Sequence, residues 1–280
     1  MQFSTALLWI CALILTTSPR VTVAEGHADS LVLQRSHALE GPVRYFNVDH
    51  LGNYYLITRA NELVKYDAKG AWVANHRQQL LGPLEMADVS NPMQLLLFYP
   101  ELSTLLQLDN MLYATNRFQL SDVNQGSRSL LCRSFDNNFW LYDERAFRLR
   151  KLALDMRTVV QGEWLQNHFD MPLKPAYLLE YNELLYLADP GQGILVFDLY
   201  GRYQRLLPIK GVERFDVHGA YLYWVKGGEV YRYHLQSLTE ERCSYPGAAG
   251  VRQIRVNSQG HYLLTRNALL HYSASEAVNR

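Results

Sequence analysis

Gly52-Asn53-Tyr54-Tyr55-Leu56-Ile57-Thr58-Arg59, followed shortly by Leu63-Val64-Lys65-Tyr66-Asp67, is the stretch that decides the fold, because the chain repeats it. Near the other end stand Gly260-His261-Tyr262-Leu263-Leu264-Thr265-Arg266 and then Leu269-Leu270-His271-Tyr272-Ser273. The second, apolar half of this unit recurs between them as Leu105 to Asp109, Arg150 to Asp155, Ile194 to Asp198 and Val230 to His234. Its last polar residues fall at 67, 109, 155, 198, 234 and 273, a spacing of 36 to 46 residues. Six copies of a unit of about 40 residues define a repeat architecture.

Within a copy the pattern alternates every second residue, as in Tyr221-Leu222-Tyr223-Trp224-Val225 and Val230-Tyr231-Arg232-Tyr233. Aromatic and β-branched residues in that alternation, bounded by Gly, Asn and Asp, read as strands. An early turn lies at Asp49 to Gly52, Ser90 to Pro92, Asp136 to Asn138, Tyr181 to Glu183, Val217 to Gly219 and Asn257 to Gly260. A later turn lies at Asp67 to Gly70 and Asp198 to Gly201, with degenerate forms after Asp109, Asp155, His234 and Ser273. Two turns flanking a central connection imply four strands per unit, the make-up of a propeller blade. The expectation is an all-β, six-bladed β-propeller with blades at about 44–79, 85–120, 130–165, 176–208, 212–245 and 251–280. The last copy has little chain left for an outer strand, and residues 30–36 are expected to supply it, closing the ring and covering its edge.

With 280 residues and 48% hydrophobic content the chain can bury a large core, and one domain over 25–280 is expected. Lys plus Arg and Asp plus Glu are both 27, which leaves no overall basic field for nucleic acid. Met1 to Ala24 carries an apolar run from Phe3 to Leu15 and small residues up to Ala24, the pattern of a cleaved signal peptide; the alternative is a retained anchor, for which the run is short. No transmembrane span is expected after its removal. Cys11 follows Leu8, Trp9 and Ile10 and does not match a lipidation site, and Cys132 and Cys243 are expected as two separate buried thiols.

The six copies, their length and the turn Lys65-Tyr66-Asp67-Ala68-Lys69-Gly70 resemble six-bladed propellers of the NHL and TolB-like type. More particularly, they look like uncharacterised exported propellers of Gram-negative bacteria. The resemblance covers residues 30–280 and implies architecture, not activity. Some propellers resembling lactonases hold a divalent cation in the channel, and Asp49, Asp88, Asp136, Glu180 and Asp216 lie near the ends of first strands where such ligands would converge. Against that, Asp in a turn caps backbone amides, and these acids share no single register. No metal, cofactor or catalytic residue is therefore assigned. No Gly-x-Ser-x-Gly elbow occurs, and Asp189-Pro190-Gly191-Gln192-Gly193 lacks the Lys and Ser/Thr of a phosphate loop.

The 19 Tyr and 5 Trp either pack between blades or line a groove for sugars or peptides, with packing favoured by their alternation. In propellers that this chain resembles, the usual ligand face is formed by the connections between blades together with the loops joining second to third strands. Here the latter would present Arg59, Glu62, Asp143, Arg145, Asp189, Lys226, Glu229 and Arg266, a mixture of charges suited to a protein surface. The longest connection between blades runs from Arg157 to Pro175. It contains Trp164, His168 and Phe169, which either form an apolar contact for a partner or fold back on one another. The expected function is a non-enzymatic, exported scaffold, monomeric by itself, that binds a protein partner in the periplasm or at the cell surface. The alternatives are a metal-dependent lactonase-like hydrolase or lyase, and a binder of glycans or peptidoglycan fragments.

Overall fold

A computed structural model of the chain describes residues 31–120, 130–169 and 173–274. The expected signal peptide, Ser30, residues 170–172 of the long connection and the turn after Ser273 lie outside them. Strand β1 (Leu31–Ala38) comes first. Blade 1 consists of β2 (Val43–Val48), β3 (Tyr54–Thr58), β4 (Glu62–Tyr66) and β5 (Trp72–Arg77). Blade 2 is β6 (Met86–Asp88), β7 (Leu95–Tyr99), β8 (Thr104–Leu108) and β9 (Ala114–Gln119), and blade 3 is β10 (Leu130–Arg133), β11 (Phe139–Asp143), β12 (Arg148–Leu152) and β13 (Thr158–Gln161). Blade 4 is β14 (Tyr177–Tyr181), β15 (Leu184–Asp189), β16 (Gly193–Phe197) and β17 (Tyr203–Leu207). Blade 5 is β18 (Phe215–His218), β19 (Tyr221–Lys226), β20 (Glu229–His234) and β21 (Glu240–Cys243). Blade 6 has β22 (Gln253–Asn257), β23 (Gly260–Leu264) and β24 (Ala268–Ala274).

Every sheet is a four-stranded antiparallel meander, and in the sixth β1 supplies the outer strand beside β24, giving the order β1-β24-β23-β22. Leu31 pairs with Ala274 and Ala38 with Ala268, so the closing strand runs two residues further than the sequence suggests, past a bulge between Leu33 and Arg35. The chain is a six-bladed β-propeller. Because both faces of each blade lie against a neighbour, successive residues of a strand are buried in opposite seams. Tyr55 and Ile57 enter the apolar cluster shared with blade 2, whereas Tyr54 and Leu56 enter the one shared with blade 6. Leu222 and Trp224 likewise face blade 4, and Tyr223 faces blade 6. Six such clusters fill the six seams. Most aromatics are thereby spent on packing, each fully buried large side chain contributing about 1.5–3 kcal/mol.

The turns are built by side-chain caps. Asp67 Oδ1 accepts the backbone N–H of Lys69 and of Ala71, both at 2.8 Å. Asp109 and Asp198 repeat this two and four residues on. In blade 5 His234 Nδ1 replaces the carboxylate, accepting from Ser237 N–H at 2.9 Å. The glycine-rich segment after Asp189 is also a turn: Asp189 Oδ1 accepts from Gly191 and Gln192. At Gly193 any Cβ would stand 2.3 Å from the Leu207 carbonyl oxygen, so the strand pairing itself requires glycine.

Candidate functional site at the channel mouth

The innermost strands β2, β6, β10, β14, β18 and β22 surround the central channel, where Asp88, Glu180 and Asp216 act as staples between blades. Asp88 Oδ2 of β6 accepts the Arg133 N–H of β10 at 3.1 Å. Glu180 of β14 takes Ser134 Oγ and Trp140 Nε1, each at 2.7 Å, and Phe135 N–H at 2.9 Å, all from blade 3. Asp216 Oδ2 of β18 accepts Val256 N–H of β22 at 2.7 Å. Burial raises the Asp216 carboxyl above its ordinary value, against the pull of Arg255 and of two backbone N–H groups. Asp49 caps its own turn and takes the Tyr55 hydroxyl at 3.0 Å. Asp136 is joined to the buried Lys151 at 2.8 Å. Burial works upward on its carboxyl, but hydrogen bonds led by that from Lys151 outweigh it and hold it below the usual range. Asp49 and Asp136 thus bond within their own blades and the other three at different seams, and no three His, Cys, Asp or Glu side chains converge as a metal-binding group among the described residues.

Two adjacent openings lie at the end of the channel where the blades connect. The first, a cavity of about 420 Å³, is lined by Arg44, Arg214, Arg252 and Arg255 with Glu85 and Glu213. The second, about 480 Å³, lies over the ring closure and is lined by Arg59, Arg252 and Arg266 beside Gly41 and Pro42. Arg252 borders both. Arg255 is buried and fixed: Nε donates to Asn47 Oδ1 at 2.6 Å, and its terminal nitrogens donate to the Phe215 carbonyl at 3.0 Å and Tyr177 Oη at 3.1 Å. Arg214 lies over the rings of Tyr45 at 4.7 Å and Tyr177 at 5.5 Å, with Glu85 at 3.8 Å. Arg44 donates to the Leu84 carbonyl, and its Nε is buried without a partner among the described residues.

The structure distributes the sequence-predicted residues around this same end of the propeller, and joins only Arg59 and Arg266 in one groove. Asp143 and Asp189 are buried turn caps. The first also pairs with Arg150 at 3.2 Å, and the second accepts Lys174 N–H at 2.6 Å. Arg145 N–H is held by Asp143. Glu62 accepts from Asn75, Lys226 pairs with Glu229 across its hairpin, and Glu229 binds Arg242 at 2.9 Å. In the long connection the aromatics part company. Phe169 packs on Tyr203 and on the cluster containing Leu165, and His168 Nε2 meets Glu163 at 3.2 Å. Trp164 stays 56% exposed, with the Arg148 guanidinium 4.7 Å from its ring centroid.

Arg214 and Arg252 stand in connections between blades, which the resemblance places on the ligand face, although neither they nor Arg44 are among the residues expected from the sequence. Arg44 is the second residue of β2, Arg214 and Arg252 immediately precede β18 and β22, and a signal for such positions exists. Gly41-Pro42-Val43-Arg44, Gly82-Pro83-Leu84-Glu85 and Gly211-Val212-Glu213-Arg214 are equivalent blade entrances with a charge three residues after glycine. That position repeats in three blades, and in the ring it faces the mouth.

Fold and mouth together define a six-bladed β-propeller with an arginine-lined entrance. No protein-family model and no curated protein matches the sequence. Solved structures do match in shape. One is a protein of unknown function from Bacteroides thetaiotaomicron (TM-score 0.61, 10% identity, 89% of this chain and 72% of that one). Another is virginiamycin B lyase from Staphylococcus aureus (0.59, 12%, 84% and 82%). A third is BamB from Moraxella catarrhalis (0.51, 10%, 89% and 99%). At these identities the likeness is one of fold.

Proposed function

We propose that the chain is an exported, non-enzymatic scaffold that presents the blade-connection face of the propeller to a protein partner in the cell envelope. The observation that carries this reading is the use of the channel acids. Asp88, Glu180 and Asp216 each commit at least one carboxylate oxygen to a hydrogen bond from a neighbouring blade, which fits a rigid platform better than a reaction centre. The signal-type segment Met1 to Ala24 supports export, and among the described residues no helix is long and apolar enough to cross a membrane. Trp164, exposed beside Arg148, has the chemistry of an interface anchor.

The test is crosslinked affinity capture from envelope extracts with the wild-type chain and Trp164→Ala. A reproducible partner, lost with the variant at unchanged Tm, is the expected result. Equal capture by the variant, or no partner under gentle extraction, overturns the reading. Stoichiometric calcium or zinc in the purified chain would favour the lactonase-like alternative instead.

A further inference from the structure

We infer that the two adjacent openings at the channel mouth, which share Arg252, form a binding site for an acidic peptide segment, whose carboxylates pair with Arg59, Arg252 and Arg266 and whose end enters the mouth at Arg44 and Arg214. The inference rests on the scaffold reading and names the chemistry of its partner. Six arginines against two glutamates line the two openings, on a chain whose 27 basic and 27 acidic residues balance overall. Three other arginines are neutralised by carboxylates: Arg232 meets Glu241 at 2.8 Å, Arg242 meets Glu229 at 2.9 Å and Arg150 meets Asp143 at 3.2 Å. At the groove, Arg59, Arg252 and Arg266 have no side-chain hydrogen bond or ion pair to any described residue. The buried, unpartnered Nε of Arg44 stands at the inner end of the same path. Guanidinium groups take carboxylates through paired N–H donors, and a partly enclosed groove strengthens such pairs relative to open water.

Peptide chemistry is favoured by the walls. Tyr45, Phe215, Val225 and Ile254 give apolar surface between the cations, and Glu85 and Glu213 stand on the rim. A chain with one negative charge on every unit would meet those glutamates in like-charge repulsion, whereas acidic residues spaced by apolar or polar ones would pass them. Arg255 holds the floor in place through Asn47, Phe215 and Tyr177 and positions the site without needing to reach the ligand.

The experiment is fluorescence anisotropy of a labelled peptide of alternating Glu and Leu, titrated with the full mature chain. Wild type is compared with Arg252→Ala/Arg266→Ala, and with Arg117→Ala, an exposed arginine on the outer strand of blade 2, as control. The expected result is saturable binding, weakened at least tenfold in the double variant, unchanged in the control, and weaker at high salt. No saturable binding, or equal affinity in the double variant, overturns the inference. So does polygalacturonate or polyphosphate of equal charge that binds more tightly and displaces the peptide, because the site is then for a uniformly charged polymer. Failure here with partner capture intact removes only this site, and peptide binding with failed capture removes only the scaffold reading.

Discussion

Gln253 holds both backbone groups of Phe46, 207 residues away in sequence: its Oε1 accepts the Phe46 N–H at 3.0 Å and its Nε2 donates to the Phe46 carbonyl at 3.0 Å. The side-chain amide acts as one more residue of strand, pairing the innermost strand of blade 6 with that of blade 1. Both ends of this bond pair are buried, so Gln253→Leu leaves a backbone donor and acceptor without partners. The expected cost is about 2–6 kcal/mol, from about 1–3 kcal/mol for each stranded group. Urea unfolding reads it as a lower midpoint at unchanged slope, and an unmoved midpoint would show that the seam relaxes around the change.

The outer side of the same seam is closed by β1. Deleting residues 31–36 exposes the edge of β24 and leaves the ring without its antiparallel clasp. The shortened chain is expected to unfold well below wild type in thermal scans and to aggregate through its open edge, with a synthetic 31–38 peptide restoring part of the lost Tm. A truncated chain that melts with wild type would refute the clasp.

These two closures differ in how far the sequence reveals them. The missing outer strand is legible from counting, since the sixth copy runs out of chain and a spare apolar stretch precedes the first. Turn caps such as Asp67 and Asp198 are legible as well, because their partners lie two and four residues away. Gln253, Glu180 and Asp216 act across 40 residues or more, and nothing local separates them from metal ligands or solvent-facing polar groups. The candidate site was half legible for the same reason. Arg59 and Arg266 stand in equivalent loops of the first and last copies, yet they become neighbours only when the ring closes.

Glu180 separates a structural from a reactive carboxylate. Glu180→Gln keeps the size and one acceptor oxygen but places N–H groups toward donors that the carboxylate satisfied: Ser134 Oγ, Phe135 N–H and Trp140 Nε1. A loss of about 2–4 kcal/mol in stability is expected, with a red shift in tryptophan emission as the Trp140 seam loosens. Unchanged stability would mean that the staple between blades 3 and 4 is dispensable.

Cys132 and Cys243 are unpaired and buried in different seams. Burial raises the Cys132 thiol well above its ordinary value and pushes Cys243 up to about 11. Reaction requires the thiolate, so both should resist a thiol reagent at pH 8 in the folded chain and react promptly in urea. Rapid labelling of either without denaturant would contradict the packing of its seam.

His261 sets a pH limit on the seam between blades 5 and 6. Its Nδ1 lies 2.7 Å from Tyr245 Oη, and its ring packs near Tyr223 at 5.3 Å. Burial is the main cause that lowers its pKa to about 4, with His218, Arg232 and His271 adding repulsion. The folded chain therefore keeps this imidazole neutral where the unfolded chain, near 6.5, is protonated. Stability from this group is fully present above pH 6.5 and is lost as the pH falls toward 4, with no further change below. Between pH 7 and pH 5 the loss amounts to about 2 kcal/mol from linkage, less where solvent reaches the ring. His261→Phe removes the titration along with the Tyr245 hydrogen bond, so the variant should be less stable at pH 7 yet lose less between pH 7 and pH 5. Chemical denaturation at both values measures the difference, and parallel losses in the two proteins would assign the acid sensitivity to other groups, His37, His76 and His271 among them, whose pKa values burial also lowers.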